Sequence, residues 1–276
     1  MLGFAGYIVA ALLLGAVGVL HGISLAERLV IQLVPPLSLI LVVTITRRRR
    51  GKERIVFYQV TSTAVLSSIA CALVGGLSVG RVADHVVTGI SVFLVFGRLG
   101  CFRVACCYGQ HARWGVRYDE RHVAQGLAAR FAGRTLLPVQ LFESAASAAL
   151  AVICTLQLGD VPGTATSTFT LGYAAVRFGL ELFRGDAARP LLLGLSEAQW
   201  FAVGSAVVVA AITPSLVAVV ASGGLVVAAV AVSIRRHRPL ARVHSPQHVG
   251  EIDHAVVGLI HCAPGEAWSK RKEVAA

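Results

Sequence analysis

The chain has 276 residues, of which 56% are hydrophobic and only 14% charged. A soluble domain carries roughly 25% charged residues, so this balance excludes an ordinary water-soluble protein and points to a chain dissolved largely in lipid. The formal net charge of +11 is no nucleic-acid signature. Lys and Arg gather at the ends of apolar runs and in the C-terminal tail, where anionic headgroups meet them, and no basic-aromatic motif accompanies them.

In chain order the apolar segments are about 2–20, 29–46, 55–79, 86–102, 136–158, 164–183, 199–213 and 215–234. A spanning helix needs ~20 residues, so the expected fold class is all-α, a polytopic transmembrane helix bundle of seven or eight spans. The first segment opens without a basic n-region and reads as a retained span rather than a cleaved signal peptide. The second carries Pro35-Pro36 in mid-run, which predicts a kink or break. Thr213-Pro214-Ser215 predicts a turn dividing the stretch 199–234, which is too long for one crossing at about 1.5 Å per residue. Residues 1–234 thus read as one transmembrane domain and 235–276 as a polar, disordered tail. His244, His248, His254, His261 and Cys262 in that tail match no standard zinc spacing.

The polar stretch Arg103 to Arg134, between the fourth and fifth segments, carries six arginines. Loops of this length are often functional. It follows the run Gly97-Arg98-Leu99-Gly100-Cys101-Phe102-Arg103-Val104-Ala105-Cys106-Cys107-Tyr108-Gly109. An arginine at the end of a hydrocarbon-length segment is costly unless it has an anionic partner or reaches the headgroups. The glycines allow sharp turns and close approach of a ligand. The run suits a phosphate clamp at a membrane surface, and equally a snorkelling arginine beside a glycine-rich helix stop. Cys101, Cys106 and Cys107 suit a redox pair, a metal site, a covalent lipid carrier or plain packing of small residues. Three ligands without a matching fourth argue against structural zinc, and no metal or cofactor is expected.

Two later segments carry polar groups on one helix face. Gln140 and Glu143 are spaced i, i+3, and Arg177, Glu181 and Arg184 lie at i, i+4 and i+7. Ionisable residues inside a membrane mark functional sites, usually paired with one another. Arg98, Arg177, Glu143 and Glu181 could therefore converge in one polar site. The alternative is an Arg177–Glu181 pair that only neutralises itself.

These motifs resemble, in order, those of the prolipoprotein diacylglyceryl transferases. Gly97-Arg98-Leu99-Gly100-x-Phe102 through Tyr108-Gly109 is similar to that family's signature loop. Leu137-Pro138-Val139-Gln140-Leu141-Phe142-Glu143 is similar to its Pro-x-Gln-Leu-Tyr-Glu segment. The run from Leu171-Gly172-Tyr173 to Arg184-Gly185-Asp186 is similar to its Gly-Tyr, Arg-Phe and Glu-Phe-x-Arg segment. Gly194-Leu195-Ser196-Glu197-Ala198-Gln199-Trp200 is similar to the entry to its last span. The likeness covers about residues 84–203.

The resemblance implies an enzyme of the bacterial plasma membrane that moves diacylglyceryl from phosphatidylglycerol to the lipobox cysteine of a prolipoprotein. It implies catalytic roles for Arg98, Arg177 and Glu181, and substrate binding by Gly97, Gly100, Cys101, Gly109, Gln140, Glu143 and Arg184. The implied partners are phosphatidylglycerol, a lipobox peptide and the bilayer, with no nucleic acid. The chain departs from the family pattern at Cys101, where the family has asparagine, and at Tyr58-Gln59-Val60, where the family has a histidine. Those departures motivate the alternative of a non-catalytic protein that binds or transports an anionic lipid. Charge counting places the Arg98 loop in the cytoplasm, whereas the resemblance places it outside; the ordered motifs favour outside.

Overall fold

The computed structural model describes residues 2–50, 57–125, 127–185 and 191–237. Its elements are α1 (Leu2–Leu20), α2 (Leu25–Arg50), α3 (Phe57–Val74), α4 (Val79–Arg103), β1 (His111–Arg117), α5 (Glu120–Val123), β2 (Thr135–Leu136), α6 (Val139–Leu156), α7 (Thr164–Glu181), β3 (Leu191–Leu192), β4 (Leu195–Ser196), α8 (Glu197–Ile212) and α9 (Leu216–His237). Each expected apolar segment is a helix. Five of them, α1, α2, α4, α6 and α9, are long and apolar enough to cross a membrane, while α3 and α8 are shorter apolar helices. The chain is a helical, multi-pass membrane protein.

The expected break in the second segment does not occur: α2 runs through Pro35 and Pro36. Pro36 has no N–H for the carbonyl of Gln32, four residues back. Tyr7 on α1 donates its hydroxyl to that carbonyl at 3.2 Å, and the Gln32 amide donates to the Ala11 carbonyl at 2.9 Å. A neighbouring helix thus supplies the missing bond, which is how membrane helices tolerate proline. The turn expected at Thr213-Pro214-Ser215 does separate α8 from α9, with Ser215 Oγ accepting from Ala218 N at 3.1 Å.

The central helix is α4, which packs against α1, α3, α6 and α7. Val82, Val86 and Val87 on its N-terminal half meet Leu14, Leu150, Cys154 and Phe169 in the main core. Asp84, also buried on α4, caps α7 across the bundle: its carboxylate accepts from Gly163 N, Thr166 N and Thr166 Oγ1, all at 2.7 Å. At the same end Arg81 pairs with Glu27 of α2 at 3.2 Å. The C-terminal ends of α4 and α7 meet the N-terminal end of α6 at the opposite end of the bundle.

The polar stretch 103–134 departs from a purely α-helical fold. Its β1 pairs antiparallel with β2 across an irregular register. Ala105, Tyr118, Leu127 and Leu136 form a small core there, flanked by Phe102, Tyr108, Val116 and Phe131. This cap has a hydrophobic core of its own, which a charge-rich composition had concealed. Residues 235–237 of the expected tail continue α9, and residues 238–276 lie outside the described residues. Residues 191–195 and 228–237 belong to a second compact unit, in which Ser233 Oγ donates to Leu193 O at 2.6 Å and Arg236 to Gly194 O at 3.0 Å.

Candidate active site

Where α4, α6 and α7 meet, four ionised side chains converge. Arg98 Nη2 lies 2.9 Å from Glu143 Oε1, Arg177 Nη1 lies 3.5 Å from Glu143 Oε2, and Arg177 Nη2 lies 2.8 Å from Glu181 Oε2. Glu143, with 3% of its side chain exposed, bridges two arginines that are 9% and 12% exposed. The alternative of a self-contained Arg177–Glu181 pair is therefore incomplete, because Arg177 also joins the other two helices through Glu143. Tyr173 donates its hydroxyl to Glu143 Oε1 at 2.6 Å. Sequence reasoning did not assign Tyr173 a role, although 173, 177 and 181 recur every four residues on one face of α7.

A cavity of about 1010 Å³ opens beside this cluster. Its walls are apolar residues of α3, α4, α7 and α8, such as Val65, Leu66, Ile90, Phe169 and Val208, and its polar end holds Arg98, Cys107, Arg177, Glu181 and Arg184. That volume is at the top of the ~300–1,000 Å³ range of small-molecule sites. Near the polar end the Tyr58 hydroxyl of α3 donates to Glu197 of α8, and its ring stacks on Phe201 with centroids 5.4 Å apart. Ser196 and Gln199 close a reciprocal cap at the start of α8, with contacts of 3.1 and 3.3 Å, which explains the Ser-x-x-Gln spacing of that motif.

The remaining candidates stand behind the cavity wall. Gly97 and Gly100 face Phe93 and Leu2, and neither lines the cavity. Gln140, fully buried, donates to Cys106 O at 2.7 Å and to Tyr118 Oη at 3.4 Å, so it fastens the cap to the bundle. Gly109 N donates to Leu137 O at 3.0 Å, Gln110 N to Phe183 O at 2.8 Å and Gly185 N to Tyr108 O at 3.0 Å. A Cβ on Gly109 would sit 2.5 Å from Leu137 O, and one on Gly185 would sit 2.4 Å from Gly109 O. Glycine is required at both because three backbones cross there. These crossings carry the chain from Gly109 past Arg184 and hold that arginine at the cavity.

The thiols of Cys101, Cys106 and Cys107 all lie within 4.8 Å of one another. Hydrogen bonds from Cys101 and Cys106, aided by Arg184 and Arg98, hold the Cys107 thiol well below its ordinary range. The same network pushes Cys106 up. Ala105 and Cys107 both adopt left-handed backbone, with φ of 51° and 58°. Non-glycine residues rarely do so, and each costs on the order of 1–2 kcal/mol.

A sequence model of the family described as prolipoprotein diacylglyceryl transferase matches residues 38–214. That span runs from within α2 to the end of α8 and includes every residue of the site. The chain belongs to this family. The phosphatidylglycerol–prolipoprotein diacylglyceryl transferase 2 of Clostridium perfringens is 31% identical to it over 153 residues. The match takes in 54% of this chain and 57% of the relative, so the chain spans little more than half the length of that curated relative.

Proposed function

We propose that the chain transfers the diacylglyceryl group of phosphatidylglycerol to a cysteine thiol of a lipoprotein precursor. One observation carries this reading: an apolar cavity ends on Arg98, Arg177 and Arg184, with Glu181 and Glu197 also on its lining and Glu143 holding two of the arginines from behind. The guanidinium groups suit the negative oxygens of a phosphodiester, while the acyl chains lie along the apolar wall.

In the reaction the thiolate sulfur attacks the glyceryl carbon bearing the phosphate oxygen. A C–S bond forms, the C–O bond breaks, and its electron pair leaves with glycerol phosphate. The leaving group is more negative than the diester, so arginines aimed at it bind the transition state better than the substrate. Arg98 and Arg177 hold phosphate oxygens through planar forks, and Arg184 adds charge at the mouth. Glu181 lines the cavity and accepts the thiol proton, while Glu143 and Tyr173 fix the two arginines. Gln140, Gly97, Gly100, Cys101 and Gly109 position the wall and the cap rather than the lipid.

On this reading α1, α2, α3, α4, α6, α7, α8 and α9 supply the seven or eight spans of a protein of the bacterial plasma membrane, with the Arg98 face outside, where the precursor's cysteine is available. The shorter α3 and α8 flank the cavity and would give a lipid a thin wall to enter through.

The test is release of glycerol phosphate from phosphatidylglycerol by the purified protein, dependent on a lipobox peptide. Arg98→Ala and Arg177→Ala should each lower the rate about a hundredfold or more, the ~3 kcal/mol typical of losing a group that stabilises transition-state charge. Turnover unchanged in both would reject the roles. Phosphatidylglycerol binding without turnover would favour the transport reading.

A further inference from the structure

Cys101 lies in the last turn of α4, about one turn beyond Arg98. After Val104 the chain doubles back through Ala105 and Cys107, both in the left-handed region. The reversal is held by Cys106 N donating to Cys101 O at 3.1 Å and by the Gln140 amide on Cys106 O at 2.7 Å. Its outcome is three half-buried or exposed thiols gathered within 4.8 Å, one of which, Cys107, lines the lipid cavity. A backbone that accepts two unfavourable conformations to bring three sulfurs to one point is shaped for something those sulfurs hold together.

We propose that Cys101, Cys106 and Cys107 bind a zinc ion whose fourth position opens to the cavity and takes the acceptor thiol; this rests on the transferase reading above. Thiolates are soft donors and select zinc over the hard cations. Zinc–sulfur bonds of ~2.3 Å in a tetrahedron place sulfurs about 3.8 Å apart, inside the 4.8 Å that bounds the observed cluster. Three protein ligands with one open position is the pattern of catalytic rather than structural zinc. Among the described residues no fourth His, Cys or carboxylate joins the three thiols, which leaves the position this role requires. Three thiolates on zinc carry one net negative charge and a fourth makes it two. Arg98 and Arg184, which line the same end of the cavity as Cys107, offset that charge.

The chemistry follows from the charge of the ion. On binding, the acceptor thiol loses its proton, which passes to Glu181 and then to water. The zinc-bound sulfur attacks the glyceryl carbon, the C–O bond breaks toward phosphate, and glycerol phosphate departs with the electron pair. The thioether formed is a poor ligand and leaves the ion, so no electrons are exchanged with zinc.

The experiment uses the full-length reduced protein in detergent, with zinc content measured by mass spectrometry and cobalt(II) as a spectroscopic substitute. One equivalent of zinc is expected, with a sulfur-to-cobalt charge-transfer band that tail histidines cannot produce. Cys101→Ser, Cys106→Ser and Cys107→Ser should each weaken binding by at least ~100-fold, while Cys71→Ser and Cys262→Ser leave it unchanged. Zinc should also shield the three thiols of the unaltered protein from alkylation, a readout that needs no variant to fold. A lipobox peptide should change the cobalt spectrum toward four sulfurs, and its Cys→Ser form should not. A reduced protein without the charge-transfer band, or one whose three thiols alkylate equally with and without zinc, would overturn the site. A cobalt spectrum indifferent to the peptide would overturn the open-position role. Metal binding and thiol shielding are read without turnover, so failure of the transferase reading shows separately, as absent glycerol phosphate release.

Discussion

Glu143→Gln is the sharpest perturbation of this bundle. Glu143 touches both Arg98 and Arg177, at 2.9 and 3.5 Å, and it also accepts from the Tyr173 hydroxyl at 2.6 Å. The amide keeps the shape and loses the charge, which leaves the cluster of two arginines and Glu181 with an uncompensated positive charge in a buried setting. Breaking a buried ion pair by removing one partner costs about 3–5 kcal/mol. For a chain of this size each kcal/mol moves the midpoint by roughly 2–4 °C, so a fall on the order of 10 °C is expected in thermal unfolding in detergent. The double variant Arg98→Met with Glu143→Leu should recover most of that loss, because apolar groups of similar volume replace a buried pair at little net cost. It should recover no transferase activity. An unchanged midpoint in Glu143→Gln would refute the claim that the three helices are held through this carboxylate. Recovery of activity in the double variant would refute the claim that Arg98 holds phosphate.

Three further outcomes follow from the geometry. Gly109→Ala and Gly185→Ala should each detach the cap at the backbone crossing, where the added Cβ would meet a carbonyl at 2.5 and 2.4 Å; faster limited proteolysis within 103–134 checks this, and a cleavage pattern like that of the parent would contradict it. Asp84→Ala should remove the cap of α7 at a cost of about 1–2 kcal/mol, seen as a lower unfolding midpoint with the activity of the folded fraction retained. Reporter fusions in β1 should place the Arg98 face outside the cell, and a cytoplasmic result would remove prolipoproteins as acceptors.

Much of the site was legible because helical spacing reports shared faces. The intervals Gln140 to Glu143 and Arg177 to Glu181 to Arg184 each name one side of a helix, and an isolated charge in an apolar run must find a partner. Spacing does not say which faces of different helices meet. Nothing in the sequence tells Glu143 from Glu181 as the residue that bridges two arginines, or marks Asp84 as the cap of a helix that begins 80 residues later. Of the kink or break expected at Pro35-Pro36, the break is absent for the same reason: a bond to the carbonyl left without its helical donor comes from Tyr7, on another helix.

The cap shows the limit from the other side. The sequence marks it as a polar loop with six arginines, yet Tyr118, Leu127 and Leu136 bury a small core there, and Gln140 reaches it from α6. Gln140 and Glu143 share one face, but they do different work. One ties the cap down through Cys106 and Tyr118, and the other orients the arginines at the cavity. Substitution at Gln140 should therefore disturb where the cap sits, and with it the thiol cluster, before it disturbs the binding of lipid phosphate. In three dimensions this motif joins the cap to the bundle, through Gln140 on one side and Glu143 on the other; on the proposed reading the cap positions the thiols and the bundle holds the phosphate.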